Sequence, residues 1–188
     1  MTTHSFLSDL MASSMTINWI IYKVLAQSSY PYKDDLDDLY EKGIKAIVSL
    51  EPHPHKDLIH KMGFEHLEVH IRDYTAPKLH QFILINEFID EMRSLEKPVL
   101  VHCFQAGRSG TICAGYLIHE GMTSNAAIIE VREKIPNPFI TAIETSDQEC
   151  SLKEYETAIK NPIIIGGVLK WPIKILRSGM RGIYRRIK

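Results

Sequence analysis

Apolar stretches with a period of two, or with none, alternate along this chain with stretches of period near 3.6, predicting strands and helices in turn. Ile17 to Ala26 (INWIIYKVLA) is β-branched and aromatic and predicts one strand, ended by the turn-rich QSSYPY. Asp34 to Lys42 has helical composition with acids in its first turn, and Gly43 stops it. Lys45 to Leu50 (KAIVSL) predicts a short buried strand, and Pro54 to Met62 a short helix closed by Gly63. His66 to Ile71 (HLEVHI) alternates as a strand. Leu79 to Leu95 predicts a long helix with a buried stripe of Phe82, Ile85, Phe88, Ile89 and Met92. Pro98 to His102 (PVLVH) is a compact apolar strand, followed by a Gly-containing turn and a helix from about Gly110 to Glu120. Ser124 to Lys134 and Ser146 to Lys160 predict two further helices.

Strands alternating with helices predict an α/β domain, a central and mostly parallel sheet flanked by helices. The pattern divides the chain into an N-terminal extension (1–15), a body (16–160) and a C-terminal tail (161–188). The 188 residues are 45% hydrophobic and 24% charged, a normal globular balance, so wholesale disorder is excluded. A chain of this length buries a sizeable core without metal or disulfide staples.

The net charge of −1 hides an asymmetry. Residues 1–156 carry 14 basic and 23 acidic side chains, net −9, and the last 32 residues carry +8. An acidic body argues against a nucleic-acid partner. Three cysteines, Cys103, Cys113 and Cys150, make neither a disulfide framework nor a CxxC metal or redox pair. The expected home is a reducing cytoplasm, which leaves any one of them free as a nucleophile. The N-terminus has no positive segment and carries Asp9, so it does not read as a signal peptide. No window approaches 18 uncharged apolar residues, the length of a spanning helix.

The chemistry concentrates in VLVHCFQAGRSGT, residues 99 to 111. A buried strand ends in His102 and Cys103, and a short loop turns into a helix. Ligands of open α/β sheets bind at the carboxyl ends of strands. A helix N-terminus aims free N–H groups and a positive dipole at that place, which holds an anion and favours a thiolate. Arg108 adds a planar fork of donors matched to phosphate oxygens. Cys113 and Cys150 lack such neighbours and read as inert.

This segment resembles the signature loop of the tyrosine and dual-specificity protein phosphatases: His-Cys, five residues, Arg, then Ser or Thr. IRDYTAP, residues 71 to 77, resembles the acid-bearing loop of the compact dual-specificity type, with Asp73 at the acid's position. AGYLIHEGMTSNAAIIEVREKIP resembles the two helices that follow the signature, and ETSDQECSLKEYE the later segment whose Gln, here Gln148, orients the hydrolytic water. The resemblance implies a phosphatase-like catalytic domain over 16–160, with its signature loop between the last buried strand and a helix. It implies that Cys103 attacks phosphorus while Phe104, Gln105, Ala106, Gly107, Arg108 and Ser109 hold the phosphate. Asp73 is then the general acid and base, and Ser109 hydrogen-bonds the sulfur and eases its departure. His102 positions the cysteine through its own hydrogen bonds. No metal or other cofactor is required. The expected substrate is a phosphoprotein or another phosphomonoester, phosphotyrosine first and phosphoserine or phosphothreonine with it.

One departure counts. Only four residues separate Cys103 from Arg108, one fewer than the family pattern, and one residue is about 3.5 Å of chain. A six-residue span from Cys to Arg is what rhodanese-like sulfurtransferases carry, with a Cys103 persulfide as the alternative chemistry. An inactive phosphate-binding module is a third reading. A sulfurtransferase has no need of Asp73 or Gln148.

In the tail, Leu169, Ile173, Leu176, Met180, Ile183 and Ile187 form an apolar helical stripe beside a basic one. Such a helix either lies on an anionic membrane surface, making the protein peripheral there, or packs on the body. Gly166, Gly167, Gly179 and Gly182 weaken it as an isolated helix.

Overall fold

The computed structural model describes residues 15–136, 141–161, 164–165 and 168–169. Five strands form one sheet: β1 (Asn18–Ile21), β2 (Leu25–Ser28), β3 (Ala46–Ser49), β4 (Glu65–Glu68) and β5 (Val99–His102). Their order is β1-β2-β5-β3-β4. Only β1 runs antiparallel, against β2, and the other pairings are parallel. The helices are α1 (Asp35–Glu41), α2 (Lys56–Lys61), α3 (Leu79–Ser94), α4 (Gly107–His119), α5 (Ser124–Lys134) and α6 (Ser146–Lys160).

Three expectations need correction. The run Ile17 to Ala26 is a hairpin, not one strand, and it reverses through a turn with Lys23 at φ +56°. Valine and isoleucine on both sides carry no glycine signal, and a lysine adopts the left-handed conformation instead. The fourth strand begins at Glu65 rather than His66 and ends at Glu68; Val69 and Ile71 still donate to Ser49 and Leu50 of the neighbouring segment at 2.9 Å. Third, α4 begins at Gly107, three residues before the expected Gly110, because the Ala106 carbonyl already accepts from Gly110 N at 2.7 Å. At the end of the body, Ile164–Ile165 and Val168–Leu169 pair as short antiparallel strands, β6 and β7. Leu169 therefore stands in a strand rather than in the expected helical stripe, and the rest of that stripe lies outside the described residues, as does 1–14.

The period of two in the central strands builds two apolar layers. Val48, Val99 and Val101 face α3 to α6, while Ile47 and Leu100 face α1 and α2 with Leu36, Leu39, Ile59 and Phe64. All four residues of β2, of β3 and of β5 are buried, as strands covered by helices on both faces require. The expected stripe on α3 is buried in full. The central helix α4 is buried from Gly107 to Ile118, so the element behind the cysteine loop is itself core.

Gly115 lets α3 close on α4. A Cβ there would stand 2.5 Å from Cδ1 of Phe82, whose ring is stacked on Tyr155 with centroids 4.8 Å apart. Alanine gains about 1 kcal/mol of helix propensity, but overpacking costs about 1–3 kcal/mol and this ring has nowhere to go. Gly115→Ala is expected to lower stability in urea unfolding by about 1 kcal/mol. Adding Phe82→Leu should recover part of that loss.

Candidate active site

Cys103 is the first residue after β5 and is 1% exposed. Successive strand residues point to opposite faces, so Cys103 shares the side of Val101 and faces α4. Its Sγ lies 3.3 Å from Oγ of Ser109 in the first turn of α4. Only Phe104, Gln105 and Ala106 lie between Cys103 and the helix. Phe104 and Gln105 are exposed and Ala106 is buried. The first amides of a 13-residue helix lack intrahelical partners and are open to an anion at this end.

Arg108 is 4% exposed. Its Nη1 donates to the Ile71 carbonyl at 2.9 Å, and its Nη2 lies 3.0 Å from Oδ1 of Asp73 and 3.9 Å from Oε2 of Glu51. Asp73 stands in a tight turn, with Tyr74 at φ +57° and Thr75 N donating to the Arg72 carbonyl at 3.1 Å. Gln148 is buried, and its side chain links the N-terminus of α6 to that turn. Its Oε1 accepts from Glu144 N at 2.7 Å, and its Nε2 donates to the Thr75 carbonyl at 3.3 Å. The structure thus brings together Cys103, Ser109, Arg108, Asp73 and, through Thr75, Gln148.

Two acids escaped the sequence reading. A Cβ on Gly107 would meet Oε2 of Glu144, so the Glu144 side chain lies directly against the start of α4. Glu51 enters from the segment after β3, and its Oε1 is buried without a hydrogen-bond partner. Burial pushes the Glu51 carboxyl up; Arg108 opposes this and Asp73 adds to it. Burial likewise raises Glu144, with Asp73 adding and Arg108 opposing. Two carboxylates, Asp73 and Glu51, thus stand within 4 Å of the guanidinium, and a third, Glu144, lies against the start of α4.

His102 is the last residue of β5. It lies on the opposite face from Cys103, and its Nε2 pairs with Oγ of Ser49 at 2.8 Å. Ser49 in turn pairs with Nε2 of His66 at 2.8 Å, and the His102 ring packs edge-on to Tyr30 and His53. Burial, then the neighbouring His53, His66 and Arg108, holds His102 at about 3. Burial, with His53 and His60, holds His66 at about 4. Both rings are neutral near pH 7. The period of two is the reason: a side chain beside Cys103 in sequence is across the sheet from it in space.

Gln27 of β2 is a further residue the sequence reading passed over; it contacts the loop directly. A glutamine two positions after Leu25, on the core face of a buried strand, is the signal that could have found it. Among the described residues, Asp90, His119 and Glu120 carry metal-ligand donors near one another. Those donors already pair with protein: Asp90 with His119 and Tyr116 at 3.0 Å, and Glu120 with Arg93 at 2.6 Å.

The family model described as "Tc-R-P: Polymorphic toxin system, DSP-PTPase phosphatase" matches residues 23–122, a span holding Asp73 and the whole cysteine loop. Human dual specificity protein phosphatase 7 is 34% identical over 106 residues, covering 55% of this chain and 25% of that protein. The chain spans about a quarter of the length of such curated relatives. The crystal structure of Tk-PTP in its active form superposes with a TM-score of 0.70 at 34% identity, covering 79% of this chain and 100% of that one. PTPMT1 in complex with PI(5)P shares the fold at 20% identity and a TM-score of 0.67, covering 77% of this chain and 96% of that one. The fold and the loop define a cysteine-loop phosphatase architecture. Within it, this chain belongs to the dual-specificity phosphatase family.

Acids around the only cation of the loop oppose an entering oxyanion. Glu51→Gln is expected to tighten tungstate binding about three- to tenfold at pH 7, measured by calorimetry. Because the Glu51 pKa is raised, its negative charge grows as pH rises past the ordinary carboxylate range. Wild-type affinity should therefore fall with rising pH, and the variant should show a flatter dependence.

Proposed function

We propose that the protein is a cysteine-dependent phosphatase acting on phosphotyrosine and, in the same site, on phosphoserine and phosphothreonine of protein substrates. The observation that carries this reading is the meeting of Asp73 and Arg108 at 3.0 Å, beside a buried Cys103 that faces the start of α4. A general acid is of no use to a sulfurtransferase, and here it reaches the loop's own arginine.

In this reading the substrate phosphoryl group displaces Asp73 as the partner of Arg108. The amides of Phe104, Gln105, Ala106 and Gly107, with Ser109, complete the cradle. The Cys103 thiolate attacks phosphorus in line; the P–S bond forms as the P–O bond to the leaving group breaks. Asp73, protonated, gives its proton to the departing oxygen. Water then attacks the cysteinyl-phosphate, Asp73 takes the water's proton, and Gln148 orients that water. The P–S electron pair returns to sulfur, which Ser109 stabilises by donating a hydrogen bond. No step draws on a metal. His102 acts at one remove, anchoring the end of β5 through Ser49.

Purified protein should hydrolyse p-nitrophenyl phosphate in chelator. Cys103→Ser should abolish turnover, and Asp73→Asn should lower kcat by roughly 10²-fold or more on phosphotyrosine peptides. Cyanide-dependent thiosulfate cleavage without phosphatase turnover would reverse the assignment, and oxyanion binding with neither activity would identify an inactive module.

The same reading places the protein in the cytoplasm, where its three cysteines stay reduced, and its 161–188 tail on an anionic membrane surface. Support comes from the +8 of the last 32 residues, set against the −9 of the rest. Full-length protein should sediment with phosphatidylserine vesicles and not with neutral ones, and a chain truncated after Lys160 should stay in solution. Equal sedimentation of the two chains would remove the membrane from this account.

A further inference from the structure

The Ser109 hydroxyl has one proton and a choice of acceptors. Cys103 Sγ lies at 3.3 Å and the Ala106 carbonyl at 3.4 Å. A hydroxyl that hesitates between them leaves the sulfur half-served. What surrounds Ser109 decides the matter, and the deciding group comes from β2.

Gln27 is 1% exposed and stands on the face of β2 that looks toward α4. Its Nε2 is 2.8 Å from the Ser28 carbonyl, 3.2 Å from the Gln105 carbonyl and 3.0 Å from Ser109 Oγ. Two of those three neighbours are carbonyl oxygens, which only accept, so the amide nitrogen and not the amide oxygen must face the loop. The other end agrees. Asn18, directly opposite Gln27 in the β1–β2 ladder, donates from Nδ2 to Gln27 Oε1 at 2.9 Å. The amide is thus clamped in one orientation from both sides.

An amide N–H₂ cannot accept a hydrogen bond. Ser109 Oγ can therefore only accept from Gln27, whose two N–H protons are shared among the three acceptors, and it cannot spend its own proton there. The bond to Gln105 also ties down the middle of the loop, which is one residue shorter than the family pattern. One side chain from a neighbouring strand thus braces the loop and orients its hydroxyl.

We propose that Gln27 is a positioning residue for Cys103: it fills an acceptor side of Ser109 and, with the Ala106 carbonyl already accepting from Gly110 N at 2.7 Å, leaves the hydroxyl proton to the sulfur, and it braces the shortened loop. The proposal rests on the phosphatase reading and assigns Gln27 chiefly to the second half-reaction. There the water oxygen bonds to phosphorus, the P–S bond breaks and its electron pair stays on sulfur. The water proton goes to Asp73, and Ser109 donates a hydrogen bond to the thiolate without losing its proton. Loss of Gln27 slows this step more than the first, where a bound thiolate needs no new stabilisation.

The test is Gln27→Met in the full chain, which keeps the length of the side chain and removes both donors. Expected is a fall in kcat of about tenfold with kcat/KM held within about threefold. A burst of p-nitrophenolate approaching one per enzyme should appear as cysteinyl-phosphate accumulates. Ser109→Ala should show the same split, and the double variant should lose little more, since both act through one contact. An equal fall of kcat and kcat/KM with no burst, or additive losses, would overturn the proposal. If Gln27→Met does not fold, Asn18→Ala loosens the amide from outside and should give a smaller split of the same sign; its absence counts against Gln27. The two readings separate in the same measurement. A protein without turnover sinks the phosphatase assignment, whereas turnover whose balance of kcat and kcat/KM is left unchanged by both Gln27→Met and Ser109→Ala sinks the role of Gln27.

Discussion

The site depends on one constraint: a buried strand and a buried helix are joined by four residues, Cys103 to Ala106. β5 is paired on both edges, by β2 and β3, and covered on both faces. α4 is buried along nearly its whole length. Neither can shift without opening the core, and each buried aliphatic side chain contributes about 1.5–3 kcal/mol to keeping it closed. The sulfur of Cys103 and the hydroxyl of Ser109 therefore meet at 3.3 Å as a consequence of packing rather than of loop preference. A surface loop of the same composition would sample many arrangements. This one inherits the rigidity of the two elements that hold it.

Charge is arranged against that rigidity. Arg108 is buried among Glu51, Asp73 and Glu144, inside a body already acidic overall. The guanidinium pairs with Asp73 and with the Ile71 carbonyl, so the buried cation is not left bare.

The sheet also acts as a divider. Cys103, Gln27 and Ser109 meet on the α4 side, while His102, Ser49 and His66 form a separate hydrogen-bonded row on the other. Both sets hold the end of β5, one through its loop and one through its last side chain. The imidazoles on the far side, His102 and His66, are held neutral by burial.

The sequence by itself determined the alternation of strands and helices, the stripe buried on α3 and the place of Cys103 at a strand end. These are legible because a period of two or 3.6, a Gly stop, or a Cys-Gly-Arg-Ser string is written in residues close together in the chain. The tertiary structure decided the rest. The hairpin at Lys23 carries no glycine to announce it. Glu51 and Glu144 become neighbours of Arg108 only when segments far apart in sequence converge. His102 is next to Cys103 in sequence and on the opposite face in space, while Gln27 is remote in sequence and bonded to the loop. Hydrogen bonds and charge act over a few ångströms of folded space, and in a parallel sheet those ångströms join strands that the chain order keeps apart.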